Sequence, residues 1–600
     1  MPLDRSSCYR ALTARDPRFD GVFFVGVTST RIYCRPVCRA RTPRERNCRF
    51  FSHAAAAERA GFRPCLRCRP ELAPGNAPVD AESVLAAQAA REIAAGALNG
   101  ASVEALAESL GVTGRHLRRV VVQHLGVSPI DLATTHRLLL AKRLLQDTTL
   151  PVAQVAYASG FESLRRFNAA FKGRYRLTPL SLRHESEEMR PGAAPHDGTT
   201  VEPGPAGGNG DRRDDVVLTL DYRHPLHWPS LFDFLAARAT PGAEFVGDGR
   251  YAATVRLPAS SAADGGGAPA VRRPGAEVSG HVIVAMAGPA AARGARTPND
   301  AGSAIVARIS ASLVPVLMPV LARLRDLLDL DANPEAIARH LARAGVVASE
   351  GDFAGVRIPG TLDGFALAVR AILGQQVSVR GATTVMGRLV GRFGDPYDGG
   401  HPALSRLMPT AATLARLRTA DIASLGMPGA RADAVLALAR AVDAGDVVLA
   451  PGADAARTIR ALTRLPGIGE WTAHYIAMRA LRWPDAFPAN DLVLRRAAGN
   501  LTAAQLTRRA ESWRPWRAYA AMHLWRTAAG GAGERAAVSG ASVAPARAAA
   551  LPAARAAALP AAAVPGAPSA PASAPRTAPG TRRPARPAGP RAARPRARST

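Results

Sequence analysis

Four cysteines in two close pairs are the residues of this chain best suited to metal chemistry. Three residues separate Cys34 from Cys38, and two separate Cys65 from Cys68. Such paired spacings supply the tetrahedral thiolate geometry that Zn²⁺ prefers, and cysteines scattered at random rarely do so. The sequence therefore predicts one closed four-cysteine zinc site near the start of the chain.

The predicted zinc site lies in an arginine-rich stretch, residues 31–41. A divalent ion with four thiolates carries a net charge of about −2, which repels DNA phosphates. The flanking arginines are therefore expected to hold the site against DNA. The whole chain has a formal charge of +29 and a pI near 11.3, which also indicates a nucleic-acid partner. The two remaining cysteines, Cys8 and Cys48, are interpreted as buried small hydrophobes or spare thiols.

The runs at residues 33–41 and 61–68 resemble the N-terminal domain of the Ada family. The resemblance implies that Cys34 attacks the methyl carbon of a methylphosphotriester in damaged DNA and keeps the methyl irreversibly. The alternative is a site that only folds a small domain, and the motif match favours the chemical role. The same resemblance implies zinc ligands at Cys34, Cys38, Cys65 and Cys68, and DNA-backbone contacts at Thr30 and Arg41.

An internal repeat follows, with copies that begin at Ser102 and at Val152. Each copy predicts a short helix, a glycine turn and a basic second helix. Two such units, joined by a helix from Ile130 to Gln146, resemble the DNA-binding domain of AraC-type transcription activators. The resemblance implies that each second helix enters a major groove and that the grooves lie one helical turn apart. The candidate DNA-binding residues are Arg115, Arg118, Arg165 and Arg166.

A glycine-containing hairpin at residues 465–471 lies between two helical patterns. Such a hairpin aims backbone N–H groups at one DNA phosphate, often with a monovalent cation between them. Asp491 follows Trp471 by twenty residues. A hairpin with an aspartate at this distance resembles the helix-hairpin-helix glycosylase superfamily, and other runs between residues 214 and 530 resemble its AlkA branch.

This resemblance implies a role for each residue of the hairpin region. The Asp491 anion would stabilise an oxocarbenium-like sugar, or position the attacking water, after the damaged nucleotide is flipped out. Alkylation at a ring nitrogen makes the base cationic and a good leaving group, so an aromatic pocket can suffice. Gln376 stands where the best-known member inserts an apolar wedge. The implied DNA contacts are Gln376, Gly467 and Gly469, the implied base-pocket residues are Trp471 and Trp525, and Trp513 is expected in the core.

Only two lysines occur in the chain, Lys142 and Lys172, and both lie in the repeat region. A Schiff-base lyase needs a lysine near the hairpin. The sequence therefore predicts a monofunctional glycosylase that leaves the abasic site uncut. No cysteine follows Cys68, so the second methyl-acceptor domain that Ada proteins use on O6-alkylguanine is expected to be missing.

The predicted fold class is multidomain and mainly α. No apolar run reaches the roughly 20 residues of a membrane span, and the first residues lack a signal peptide, which predicts a cytoplasmic, nucleoid-associated bacterial protein. The expected domains are a small α/β zinc methyl-acceptor domain at 1–75, a double helix-turn-helix at 85–185, a flexible linker at 186–213, an AlkA-like α/β subdomain at 214–310, a helix-hairpin-helix glycosylase domain at 311–530, and a disordered basic tail at 536–600.

The predicted function is an alkylation sensor and transcription regulator fused to a DNA-3-methyladenine glycosylase II, with a suicidal methyltransferase activity. The expected partners are double-stranded DNA, both alkylated and operator, and RNA polymerase, with the chain itself a monomer. Two alternatives stay open: a regulator whose C-terminal half binds DNA without catalysis, and a repair enzyme whose helix-turn-helix units only anchor it. The presence of Asp491 favours catalysis over the first.

Overall fold

The structure, a computed structural model, describes residues 4–74, 84–188, 215–259, 277–287, 304–347, 350–353 and 355–539. Most of the predicted linker, and the predicted tail from residue 540, lie outside these ranges. No helix within the described ranges is both long enough and apolar enough to cross a membrane.

The N-terminal segment folds around a four-stranded sheet in the order β3-β1-β2-β4. Strands β2 and β4 run parallel with Tyr33 opposite Pro64, so the residues that follow them in sequence, Cys34 and Cys65, lie side by side. This register explains how distant cysteines meet. The elements are α1 (Arg5–Ala14), β1 (Phe24–Val27), β2 (Ile32–Cys34), β3 (Cys48–Phe51), α2 (Ala54–Arg59) and β4 (Arg63–Pro64).

Seven helices follow, and they contain both predicted helix-turn-helix units. The Ser102 side chain caps the first helix of unit one by accepting from the Ala105 amide, and Gly111 and Gly160 adopt positive φ in the two turns. The fully buried Ala107 and Ala156 allow the helices of each unit to approach closely. The helices are α3 (Val84–Ala94), α4 (Val103–Ser109), α5 (Gly114–Leu125), α6 (Pro129–Asp147), α7 (Val152–Ala158), α8 (Leu164–Tyr175) and α9 (Pro179–Glu188).

A five-stranded antiparallel sheet in the order β5-β9-β8-β7-β6 comes next. Its first strand alternates buried and less buried residues, the pattern of a sheet with one face on a core. The elements are β5 (Val216–Leu220), α10 (Trp228–Ala236), β6 (Glu244–Gly247), β7 (Arg250–Pro258), β8 (Glu277–Ala287) and β9 (Ala304–Ile309).

The remaining elements are helical, and most of them surround a large hydrophobic core, whereas the helix Leu317–Leu328 packs in the core of the five-stranded sheet. Trp513 is 1% exposed in the large helical core, as predicted. The helices are α11 (Leu317–Leu328), α12 (Pro334–Arg343), α13 (Gly364–Leu373), α14 (Val379–Phe393), α15 (Ala411–Ala415), α16 (Thr419–Ala423), α17 (Gly429–Asp443), α18 (Ala455–Thr463), α19 (Glu470–Arg479), α20 (Leu492–Ala497), α21 (Ala503–Ala510) and α22 (Arg517–Ser539).

The second helix-turn-helix unit shares a hydrophobic core with the five-stranded sheet. Phe167 of the unit and Leu144 of the linking helix α6 belong to the same buried cluster as Val216 and Leu218 of β5. Helix α9 also continues to Glu188, so the first residues of the expected linker are helical. The sequence predicted a flexible linker between the helix-turn-helix domain and the AlkA-like subdomain. In the structure these two parts share a hydrophobic core.

Candidate metal centre and candidate active site

The four predicted zinc ligands converge in the N-terminal domain. One Sγ from each cysteine lies within 4.8 Å of all the others. All four side chains are buried, and Cys34 is the most exposed at 9%. A closed set of four thiolates is a donor set that suits structural Zn²⁺, so the residues present fit the metal. The cluster comprises Cys34, Cys38, Cys65 and Cys68.

Arg35, which directly follows Cys34, has a different role from the one its sequence context suggests. Its side chain is 2% exposed and forms a buried ion pair with Asp20. It also donates to the backbone oxygen of Cys68 at 3.3 Å. The expectation that the flanking arginines hold the site against DNA is therefore wrong for Arg35, because its charge is neutralised inside the domain. Thr30 and Arg41 are both exposed.

The two cysteines outside the cluster are structural. Cys8 is 2% and Cys48 is 1% exposed, in agreement with their interpretation as buried small hydrophobes. Burial raises the pKa of both thiols, which favours their neutral form.

The basic side chains predicted to bind DNA lie on the exposed faces of α5 and α8. Two of them have acidic neighbours within their own unit: Arg118 donates to Glu104 at 2.5 Å, and Arg166 lies 3.8 Å from Glu162. These surface pairs cost little to open when a phosphate is available. The predicted residues Arg115, Arg118, Arg165 and Arg166 are all exposed.

Asp491 is held by three N–H donors at the start of α20. Its Oδ1 accepts from the Leu494 amide at 2.8 Å, which makes it the N-cap of the helix. The indole Nε1 of Trp471 donates to Oδ2 at 2.8 Å, and that of Trp525 donates to Oδ1 at 3.2 Å. The two tryptophans predicted for the base pocket therefore also fix the carboxylate.

Tyr475 joins this aromatic group, although the sequence reasoning did not select it. Its ring stacks on Trp471 at 5.3 Å with an interplanar angle of 6°, and it meets Trp525 edge-on at 6.5 Å. Burial acts to raise the pKa of Tyr475, but Arg479 and Arg238 outweigh it and the pKa lies below its usual value. The available signal was the spacing of four residues from Trp471, which places both rings on one helix face.

The hairpin lies between α18 and α19, as predicted. Gly467 has φ +77°, a conformation that favours glycine, and a Cβ there would lie 2.9 Å from the Cβ of Ala434. Gly469 is the N-cap of α19 with an ordinary φ of −87°, and no atom lies within 4 Å of where its Cβ would be. Gly467 thus shapes the turn, whereas Gly469 leaves open space in front of the helix N-terminus.

Gln376 lies at an exposed tip beside the hairpin. Its φ is +56°, which is unusual for a residue other than glycine. The preceding Gln375, which sequence reasoning missed, anchors the tip because its Nε2 donates to the Gly467 backbone oxygen at 2.9 Å and to Thr472 Oγ1 at 3.0 Å. Val377 follows at 41% exposure. An apolar side chain therefore stands next to the glutamine that replaces the expected wedge.

A cavity of about 200 Å³ lies beside the start of helix α19. Its lining includes Trp471, Asn490 and His474. Burial lowers the pKa of His474, which favours the neutral imidazole at physiological pH. His474 thus adds no positive charge to the lining, and the guanidinium of Arg517 is the cationic group among the lining residues.

Neither lysine lies near the hairpin in the folded chain. Lys142 is 1% exposed and donates from Nζ to both carboxylate oxygens of Glu71 at 2.6 Å. Lys172 lies exposed on α8. The amines are thus placed in the helix-turn-helix region, as the sequence predicted.

The fold and these sites define a DNA-binding repair protein with a zinc-binding domain, a helix-turn-helix domain and a glycosylase fold. Four family models match in chain order. They are "Metal binding domain of Ada" over residues 7–71, "Helix-turn-helix domain" over 106–185, "AlkA N-terminal domain" over 217–363, and "HhH-GPD superfamily base excision DNA repair protein" over 369–516.

A curated relative is similar to most of the chain. The "Probable bifunctional transcriptional activator/DNA repair enzyme AlkA" of Mycobacterium tuberculosis (strain CDC 1551 / Oshkosh) is 40% identical over 87% of this chain and 96% of its own length. The chain belongs to this family of bifunctional transcriptional activators and DNA repair enzymes, and its glycosylase is of the AlkA type.

Two Escherichia coli (strain K12) proteins match separate parts of the chain. "DNA-3-methyladenine glycosylase 2" is 33% identical over 52% of this chain and 97% of its own length. "Bifunctional transcriptional activator/DNA repair enzyme Ada" is 49% identical over 11% of this chain and 18% of its own length. The similarity therefore divides between the N-terminal domain and the C-terminal half.

Proposed function

We propose that this protein detects DNA alkylation with Cys34, regulates transcription through its helix-turn-helix units, and excises alkylated bases such as 3-methyladenine with Asp491. The single observation that carries the enzymatic part is the Asp491 carboxylate, which three N–H donors hold beside an aromatic cluster and the hairpin. This geometry supports catalysis over a C-terminal half that only binds DNA.

In the N-terminal domain, the Cys34 sulfur attacks the methyl carbon of a DNA methylphosphotriester. A C–S bond forms, the C–O bond to the phosphorus-bound oxygen breaks, and the phosphodiester leaves with the electron pair. Zinc, when bound by the four cysteines, keeps the thiols deprotonated at neutral pH. Cys34 is the most exposed of the four, which supports it as the acceptor. The product is a thioether, so each molecule reacts once.

Methyl transfer changes the charge of the site. Converting the Cys34 thiolate to a neutral thioether takes the site from about −2 to about −1. The repulsion from DNA phosphates then falls and operator binding tightens, by an amount that shrinks as salt is added. Exposed Thr30 and Arg41 would contact the DNA backbone.

In the C-terminal half, the Asp491 anion faces the sugar of a nucleotide that has left the duplex. As the N-glycosidic bond breaks, the electron pair goes to the alkylated base and the carboxylate stabilises the sugar cation or orients the attacking water. Trp471, Trp525 and Tyr475 offer aromatic faces to an electron-poor base. Gln376 fills the gap in the duplex, with Val377 beside it.

The remaining parts of the proposal concern phosphate binding, the reaction class, the partners and the cellular location. Gly467 and Gly469 present backbone N–H groups to a phosphate, with a monovalent cation between them. The absence of a lysine near the hairpin supports a monofunctional glycosylase of the DNA-3-methyladenine glycosylase II class. The protein would act as a monomer on alkylated and operator DNA in the bacterial cytoplasm, at the nucleoid, with RNA polymerase as the partner of its regulator domain.

The proposed function is tested in two assays with the full-length protein. Incubation with a duplex carrying one methylphosphotriester should add one methyl to Cys34, detected by mass spectrometry of the intact protein and its peptides. Incubation with methylated DNA should release 3-methyladenine. A wild-type protein that takes no methyl contradicts the sensor, and one that releases no base contradicts the glycosylase.

A further inference from the structure

Glu58 of the zinc domain is a buried junction between the metal-binding strands and the second helix-turn-helix unit. Its side chain is fully buried. The Tyr33 hydroxyl donates to Oε1 at 3.0 Å, while Thr135 and Arg174 donate to Oε2 at 3.0 Å and 2.5 Å. The four residues come from β2, α2, α6 and α8. One carboxylate thus connects the zinc domain, the helix between the two units and the second basic helix.

Tyr33 brings this junction next to the methyl acceptor. It directly precedes Cys34 in β2 and is 0% exposed. Its ring packs edge-on against Phe24 at 5.8 Å, so it cannot move freely. Close-packed interiors transmit small displacements because they contain little free volume. A change of size at Cys34 therefore reaches the Tyr33 hydroxyl.

Other contacts hold the same two surfaces together. Strand β4, which ends immediately before Cys65, contacts α8. Arg69, which follows Cys68, forms a two-pronged ion pair with Asp147 of α6 at 2.7 Å for each bond. Lys142 of α6 pairs with Glu71 of the zinc domain. The residues next to the predicted ligands thus contact the helix-turn-helix domain directly.

We propose that Glu58 couples the methylation state of Cys34 to the second basic helix, α8, through Tyr33 on one side and Arg174 on the other. This inference rests on the proposed methyl transfer and adds a contact-based route to the change of charge. A methyl on the Cys34 sulfur must find space in a buried cluster, and the resulting shift of β2 moves the Tyr33 hydroxyl relative to Glu58. The hydrogen bonds that Arg174 and Thr135 donate to Glu58 then lengthen or break. This alters how firmly the C-terminal end of α8 is held.

The shared core extends the consequence to the C-terminal half. Phe167, Phe171 and Tyr175 of α8 are buried in the cluster that also contains strands of the five-stranded sheet. A change at the Arg174 end of α8 is therefore expected to alter the helix-turn-helix surface and the core that α8 shares with the five-stranded sheet.

Amide hydrogen exchange of the full-length, zinc-loaded protein tests this coupling. The protein is methylated with a methylphosphotriester duplex, freed of DNA and compared with unmethylated protein over the α8 peptide, residues 164–175. Methyl uptake is measured in every sample by intact mass. The wild type should show a methylation-dependent change in exchange over α8.

Two variants and one matched control locate the route. Tyr33→Phe removes only the hydroxyl, and Arg174→Gln breaks the other end of the link without substituting a residue of the zinc domain; each should lose the methylation-dependent difference over α8. Tyr9→Phe removes a hydroxyl that donates to the Pro43 backbone oxygen within the zinc domain, and it should keep the difference.

The outcomes separate this inference from the proposed function. A wild type that takes the methyl without a change over α8, or an Arg174→Gln protein that retains the full change, overturns the coupling and leaves the methyl transfer intact. Should Tyr33→Phe fail to take the methyl, Arg174→Gln alone decides. A wild type that takes no methyl overturns the proposed sensor, and the coupling that rests on it fails too.

Discussion

The indole Nε1 of Trp471 donates a 2.8 Å hydrogen bond to Oδ2 of Asp491. Among the described residues, Oδ1 of the same carboxylate accepts two hydrogen bonds, from the Leu494 amide and from Trp525. Oδ2 therefore has more lone-pair capacity left to accept a hydrogen bond from water or to face a sugar cation. The tryptophan that helps to form an aromatic surface thus also sets the position of the Asp491 carboxylate.

Trp471→Phe should slow base release while leaving the aromatic stack with Tyr475 in place. A hydrogen bond to a charged group is worth about 1.5–3 kcal/mol, which corresponds to a rate decrease of about 10- to 100-fold if the bond matters in the transition state. The rate of 3-methyladenine release under single-turnover conditions measures this decrease. Trp516→Phe is the control, because Trp516 packs against His340. Equal rates for wild type and Trp471→Phe would show that the indole N–H does not contribute.

The two hairpin glycines should respond differently to alanine. At Gly467 a left-handed backbone conformation and the nearby Ala434 predict a loss of about 1–2 kcal/mol in the free energy of unfolding, measured by denaturant titration. Gly469→Ala should keep the stability and weaken binding to abasic-site DNA, since the new methyl occupies the space in front of the helix N-terminus. The distinction fails if Gly469→Ala binds DNA as tightly as the wild type.

Borohydride should trap no covalent adduct between the C-terminal half and damaged DNA. Lys142 is buried against Glu71 and Lys172 lies on α8, so no lysine amine is available at the hairpin. After base removal the strand should stay intact until it is heated in alkali. Denaturing gels of treated and untreated reactions measure both points. A trapped adduct that maps to a peptide between residues 214 and 530 would show lyase chemistry.

The sequence was sufficient wherever a local pattern determines the structure. It predicted the cluster of four cysteines from their spacing and the hairpin from its glycines. It failed where a distant partner decides the outcome. Arg35 lies in an arginine-rich motif that was expected to contact DNA. Its side chain is instead buried in an ion pair with Asp20, fifteen residues earlier. The core shared by Phe167 and Val216 depends in the same way on packing between segments far apart in sequence.

Removal of the metal should unfold the N-terminal domain. The four cysteines belong to its small core, and binding free energy at a structural zinc site is folding free energy. Purified protein should contain one zinc per chain by elemental analysis, and Cys38→Ala should lose both the metal and the protection of the first 75 residues from proteolysis. Cys48→Ala, at a buried cysteine outside the cluster, is the matched control and should retain the zinc. Purified protein that contains no zinc would contradict this account of the site.

Release of 3-methyladenine by the wild type and by Asp491→Asn tests the central claim most directly. Asparagine caps a helix as well as aspartate does, so α20 and the fold should be preserved. The substitution removes the charge that faces the sugar cation, and we expect base release to fall by about 100-fold or more, with affinity for damaged DNA nearly unchanged. An Asp491→Asn protein that excises 3-methyladenine at the wild-type rate would contradict the assignment of Asp491 as the catalytic residue.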